Sequence, residues 1–337
     1  MRGEGRGVLN ALRPKPFRGD VIAAGVVVLA TLVWLVRLRF AAAWGDGGQL
    51  VWATLPWAFV TLLAVLAEPE GDAPRAYQSV LYIASVALWI AVVTSFGDVL
   101  GAERSFSTEG CTTWEAGAVA ALAFAFAIGR NSAVCTLLGS LFGGVTVIAL
   151  VAWIFAPGIG TFRWVLVGLM VVYGFAAIGQ RDRHLRHGVA LIDAAGVAVL
   201  TIGVSFAISV VLRRLVGGDD AYSAVSELSI GFFTVGYGDT AVGWGWELLI
   251  VAAGFGLIAY SSVDRQPGPA YIGVLNLVVF AVMTSFGITA SGATLVGWPL
   301  VLALAALALL IIGLRPTTPA PPPPDLDAPE APPLPLR

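Results

Sequence analysis

Ten stretches of this 337-residue chain stay apolar for about the length needed to cross a bilayer, and nothing else in it restricts the fold as tightly. They run at about 21–36, 50–67, 76–96, 114–128, 132–155, 162–178, 189–215, 244–263, 270–288 and 295–314. A helix of roughly twenty residues spans the hydrocarbon. Because hydrocarbon offers the backbone no hydrogen-bond partner, such runs close their bonds internally as helices. The expected fold is therefore an all-α membrane protein of about ten transmembrane helices. A hydrophobic content of 58%, only 12% charge and a mean hydropathy of +0.87 exclude an ordinary soluble domain. The net charge of −2 gives no basis for a nucleic-acid partner; membrane lipid is the expected one.

Between the seventh and eighth runs lies TVGYGD, residues 234–239. A cation in a bilayer must keep a shell of oxygens or lose its hydration at large cost. Backbone carbonyls can supply that shell if successive ones point to one axis, whereas an extended L-chain alternates them. Gly236 and Gly238, alternating with Val235 and Tyr237, permit the left-handed conformations that bring the carbonyls to one side. Thr234 adds a hydroxyl at the inner end. Val235 and Tyr237 would point outward as braces, and Asp239 would concentrate cations at the outer mouth.

Thr234, Val235, Gly236, Tyr237 and Gly238 resemble the selectivity filter of potassium channels, in which four such loops replace the hydration shell of K⁺. The flanks fit too. An apolar run precedes, GGDD (217–220) breaks it, and Asp219 or Asp220 can cap a short re-entrant helix over 221–233. Another apolar run follows. The resemblance covers 189–263, the two-transmembrane pore module. It implies K⁺ as the permeant ion, held by filter carbonyls with no cofactor, and a homotetramer around one axis. It also implies an extracellular entrance to the filter. Phe232 and Phe233 depart from the small or hydroxyl residues usual before the filter threonine; they are expected to pack behind the filter as support, and put its rigidity in doubt rather than its selectivity. Glu227, in the expected pore helix, either braces the filter from behind or faces an outer vestibule. Gly254 and Gly256 read either as a hinge in the inner helix or as helix-packing positions.

Orientation follows from the same loop. A filter entered from outside requires the helix at 189 to start in the cytoplasm, where RDRHLRH (181–187) precedes it. With six runs before it, the amino terminus is cytoplasmic as well. That arrangement places thirteen of the nineteen Lys and Arg residues inside. Lys15 is the one lysine, and this arginine bias together with abundant Ala, Val and Gly suggests a bacterial plasma membrane. The expected regions are a basic cytoplasmic start (1–20), a six-helix region (21–180), the pore module (189–263), two further helices (269–314) and a tail (315–337). Arg37 and Arg39 follow the first apolar run, so an uncleaved anchor is expected in preference to a signal peptide. The tail is proline-rich and reads as disordered; a proline-recognition partner is an option, and a plain solubilising tail is the simpler reading.

Two echoes suggest an internal repeat. FRGDVIAAGVVVL (17–29) resembles HGVALIDAAGVAVL (187–200), and AYQSVL (76–81) resembles AYIGVL (270–275), each of the latter pair followed by TSFG. Duplication and chance similarity between Ala/Val/Leu helices both explain them. If the repeat is real, the first copy holds WGDGG (44–48) where the second holds its filter.

Other classes find less support. No span carries the regularly spaced cations of a voltage sensor. No catalytic constellation appears, so an enzyme is not expected. The only histidines, His184 and His187, read as part of a solvated loop. Cys111 in a loop and Cys135 at a helix start do not form a disulfide framework. A membrane sensor or scaffold with a non-conducting module remains an alternative. So does a coupled transporter, for which Asp193 is the one acid well inside a span near the pore.

Overall fold

A computed structural model of the chain describes residues 14, 16–40, 43–71, 74–102, 106–156, 158–216, 229–230, 233–234 and 242–286. Among these residues, nine helices are long and apolar enough to cross a membrane. They are α1 (Pro16–Phe40), α2 (Asp46–Leu66), α3 (Ala76–Val99), α4 (Glu109–Arg130), α5 (Ala133–Phe155), α6 (Ile159–Arg181), α7 (Leu185–Val216), α8 (Trp244–Asp264) and α9 (Pro267–Phe286). The chain is a multi-pass helical membrane protein. The tenth expected span, at 295–314, and the proline-rich tail lie outside the described residues.

Helix starts differ from the apolar runs where capping chemistry extends them. α4 begins at Glu109, ahead of the expected 114, because the Thr108 hydroxyl accepts a hydrogen bond from the Cys111 amide at 3.3 Å. Cys111 is therefore in a first helical turn, not a loop, and both cysteines are free thiols. α9 starts at Pro267, where a missing N–H costs nothing. α7 starts at Leu185, so the end of the basic segment is helical.

The larger difference concerns residues 221–233, expected as a re-entrant helix. The described positions there are extended. β1 (Ser229–Ile230) pairs antiparallel with β2 (Phe233–Thr234), Ser229 opposite Thr234 and Ile230 opposite Phe233. Ile230, Phe233 and Thr234 are β-branched or aromatic, types that lose rotamer freedom in a helix and favour a pleated strand. The helical expectation fails at Ser229, Ile230 and Phe233; the rest of that segment lies outside the described residues.

The packing has two matching halves. α3 packs against both α1 and α2, while α1 and α2 touch one another less. α9 stands in the same relation to α7 and α8. These are the two sets of helices that carry the sequence echoes. Between them come α4, α5 and α6, with α4 against α5 and α6 against α7. Among the described spans α3 is the most enclosed, contributing Leu81, Tyr82, Val86 and Leu88 to a core with Val33, Val60 and Val119. Trp57 and Trp89 stack with ring centres 4.5 Å apart across α2 and α3.

Consecutive helices alternate in direction, and their ends collect on two faces. The α2–α3, α4–α5 and α6–α7 connections meet on one face, where the Glu70 amide donates to the Arg130 carbonyl at 3.0 Å and Arg186 reaches Glu70. The end of α1 meets the end of α3 on the other face through Arg37 and Asp98.

Candidate functional site

The filter-like segment sits between α7 and α8. Its first residue, Thr234, is described as backbone in β2, as is Phe233. Val235, Gly236, Tyr237, Gly238 and Asp239, together with Glu227 and Phe232, lie outside the described residues. What the structure describes is the helices on either side of the segment in the chain, α7 and α8, and α9 packed against them.

α8 presents two different faces. Glu247, Ile250, Val251, Gly254 and Leu257 are buried, at helical spacing, against α7 and α9. Gly254 is a packing position. A Cβ there would meet the Leu277 side chain at 2.8 Å and the Gly273 carbonyl oxygen at 3.2 Å, both on α9. The opposite face, Gly245, Leu248, Ala252, Gly256, Ala259 and Val263, is exposed along the helix. Gly256 has open space where a Cβ would stand. The two glycines considered together from sequence therefore belong to different faces.

α7 and α9 meet through Asn276, fully buried, whose amide donates to the Ile272 carbonyl at 2.9 Å and lies 3.4 Å from the Gly196 carbonyl. Asp193 faces the start of α9, so that a Cβ on Gly268 would lie 2.7 Å from its Oδ2. Its Oδ1 has no hydrogen-bond partner among the described residues. At the end of α8, Asp264 pairs with Arg181 of α6 at 3.1 Å, and its side chain is only 9% exposed.

Three polar clusters that sequence reasoning did not find connect the six-helix region to this frame or brace it. First, Arg163 of α6 is buried against α7. Its guanidinium lies 3.5 Å from the Phe206 ring centre, and its Nε donates to the Ser205 hydroxyl at 3.2 Å. Trp246 of α8 completes that corner, with ring centres 5.2 Å from Trp164 and 5.9 Å from Phe206. Second, Arg37 of α1 donates to the Ala91 carbonyl and to the Thr94 hydroxyl, and pairs with Asp98 at 3.1 Å. Close by, Glu115 is fully buried and accepts from the Phe106 amide at 2.8 Å.

Third, Glu70 in the α2–α3 connection has a fully buried side chain. Its Oε1 accepts from the hydroxyls of Ser79 at 3.1 Å and Ser132 at 3.0 Å, and its Oε2 from Arg186 at 2.8 Å. Arg186 also donates to the Gly71 carbonyl at 2.7 Å. The Glu70 carbonyl accepts from the Asn131 amide at 3.0 Å. On the far side of Asn131, its Oδ1 lies 2.9 Å from Nε2 of His187, whose Nδ1 contacts the Thr136 hydroxyl. His187 is thus half-buried in the first turn of α7 and fully engaged, not part of a solvated loop. A sequence signal existed only in hindsight: adjacent Arg and His at a helix start, opposite a lone acid in a short connection.

No group of three or more His, Cys, Asp or Glu side chains suited to a metal ion occurs among the described residues. Searches of family models, curated proteins and solved structures returned no match to this chain.

Proposed function

We propose that the chain is a K⁺-selective channel, passing potassium passively across a bacterial plasma membrane through a pore made by four copies, with both termini cytoplasmic. The observation that carries this reading is the unbroken TVGYGD at 234–239 between two bilayer-length helices, α7 and α8. In this reading the carbonyls of Thr234 to Gly238 replace the ion's water, in adjacent sites weak enough for ions to displace one another. Asp239 rings the outer mouth. Any pore helix must end before Ser229, with the β1–β2 pair leading into the filter.

The two faces of α8 support the same arrangement. One is used up within the protomer by α7 and α9. The other, small at Gly245, Ala252, Gly256 and Ala259, suits an inner helix that meets its own copies around an axis and leaves room for ions between them.

The test is flux of K⁺ against Na⁺ into liposomes holding the full chain, with Gly236→Ala as control. Selective K⁺ flux that the variant loses is the expected result. Absence of a tetramer, or K⁺ flux indifferent to Gly236, overturns it. Asp193 and the matching helix triplets favour one other reading, a coupled transporter built from repeats. That alternative predicts K⁺ uptake that responds to an imposed proton or sodium gradient and disappears in Asp193→Asn.

A further inference from the structure

α7 is tied to the six-helix region at its first turn by two adjacent residues that grip different connections. Arg186 holds the α2–α3 connection through Glu70 and the Gly71 carbonyl. His187 holds the α4–α5 connection through Asn131 and, one turn into α5, Thr136. Any shift of α7 relative to the six-helix region at this end must break both grips.

The hydrogen-bond pattern defines what a proton on His187 does. The Asn131 amide nitrogen is committed to the Glu70 carbonyl, so its oxygen faces His187 and Nε2 must donate. In the neutral ring Nδ1 then accepts from the Thr136 hydroxyl. Protonation reverses that bond: Nδ1 donates, and the Thr136 hydroxyl turns to the Ser132 carbonyl at 3.3 Å. Both states have hydrogen-bond partners, so proton uptake needs no prior rearrangement of the ring. The difference between the states is one positive charge.

The elements that meet at this end each bring charged or titratable groups. Glu70 comes from the α2–α3 connection, Arg130 from the end of α4, and the buried Cys135 thiol from α5. The last turn of α6 brings Arg181, paired with Asp264, and Asp182 follows it. His184 and Arg186 belong to the same segment, the His184 ring centre lying 5.6 Å from that of His187. Glu70 is already matched by Arg186 at 2.8 Å. A second cation at His187 therefore meets Arg186 and His184 with the nearest carboxylate engaged, and like charges in a half-buried cluster repel.

We propose that the Arg186–His187 clamp is a proton-responsive coupling between the six-helix region and α7, in which protonation of His187 loosens the first turn of α7 and changes ion flux through the channel. The regulatory half rests on the channel reading; the loosening does not. Imidazole is the side chain whose unperturbed charge change lies nearest neutral pH, so the test is made between neutral and mildly acid pH.

The experiment compares wild type with His187→Gln, whose amide keeps one donor and one acceptor. K⁺ flux in liposomes is measured as pH on the clamp face falls from about 7.5 to about 5.5. Hydrogen exchange of the first turn of α7 is followed in nanodiscs over the same range. Wild-type flux is expected to change by about fivefold or more, as a modest coupling between sites gives, and His187→Gln to stay flat. Protection of that turn should fall at the acid end in wild type only. A pH response that survives His187→Gln, or protection of that turn indifferent to pH, overturns the proposal. If flux is absent throughout while protection still falls, the channel reading fails and the loosening of the clamp stands. Should His187→Gln not fold, wild type alone decides: protection must fall in the first turn of α7 while α3 holds.

Discussion

Gly254 and Gly273 meet across α8 and α9 so closely that a Cβ on Gly273 would stand 2.6 Å from the Gly254 carbonyl oxygen. That obstacle is backbone, which cannot rotate away, and Ile258 lies 2.9 Å off on the same helix. Gly273→Ala should therefore force the two helices apart and cost about 1–3 kcal/mol, the usual range for overpacking. Thermal unfolding in detergent checks this. Gly256→Ala, on the open face of the same helix, should leave monomer stability within about 0.5 kcal/mol. If the open face meets its own copies, Gly256→Leu should instead weaken the oligomer, seen as a shift toward smaller species on native gels or in mass photometry.

The Arg37–Asp98 pair lies at the end of α1, with the arginine side chain 14% exposed and the aspartate 26%. Removing the cation takes a charged partner from Asp98 in a poorly solvated site near Glu115, itself fully buried. Arg37→Met should cost about 3 kcal/mol, as breaking a buried pair commonly does. Arg37→Met combined with Asp98→Asn should recover a large part of that, because the charge that Arg37 matched is then removed with it. A double-mutant cycle by chemical unfolding gives the coupling; additivity of the two losses would show that the pair is not a unit.

The helices were legible from sequence because hydropathy over roughly twenty residues is a strong signal, and each of the nine described helices overlaps an apolar run. Their ends were less so. Thr108 and the basic turn before α7 extend helices through polar residues that a hydropathy reading excludes. The extended pair at Ser229–Thr234 was hidden by the resemblance to the pore module, which implies a helix there, although Ile230 and Phe233 already disfavoured a helix locally. The clusters around Glu70, Arg37 and Arg163 were invisible for a different reason. Glu70 and Arg186 are 116 residues apart, and each alone looks like an ordinary connection residue. Only the fold, by gathering three connections on one face, makes them partners. The half-repeat is the intermediate case: a weak echo in sequence that the matching contacts of α1–α3 and α7–α9 make firmer.

Glu70 accepts only from donors: two hydroxyls and one guanidinium. Glu70→Gln keeps one oxygen and turns an NH₂ toward the others. The serine hydroxyls can rotate to accept, but Arg186 cannot. Glu70→Gln should therefore cost about 2–3 kcal/mol, within the range for a hydrogen bond to a charged group. The loss should be nearly independent of salt, because the carboxylate is buried and poorly screened. Glu70→Asp, too short to reach all three donors, should fall between wild type and Gln. Unfolding curves at low and high salt test both points, and a loss erased by salt would place the pair in solvent.

Arg163 lies face-on to Phe206, 3.5 Å from the ring centre, rather than against an acid among the described residues. A guanidinium stacks on a ring and still donates through its edge, here to Ser205 at 3.2 Å. An ammonium cannot do both from one position. Arg163→Lys should thus lose about 1–2 kcal/mol of stability, the scale of a desolvated cation–π contact, even though charge is retained. Phe206→Leu should lose a similar amount by removing the ring while keeping the apolar bulk. Because both contacts join α6 to α7, the two substitutions should not add: in the double variant the second change acts on a contact already gone. Measured losses that sum would mean that Arg163 is held by something other than Phe206.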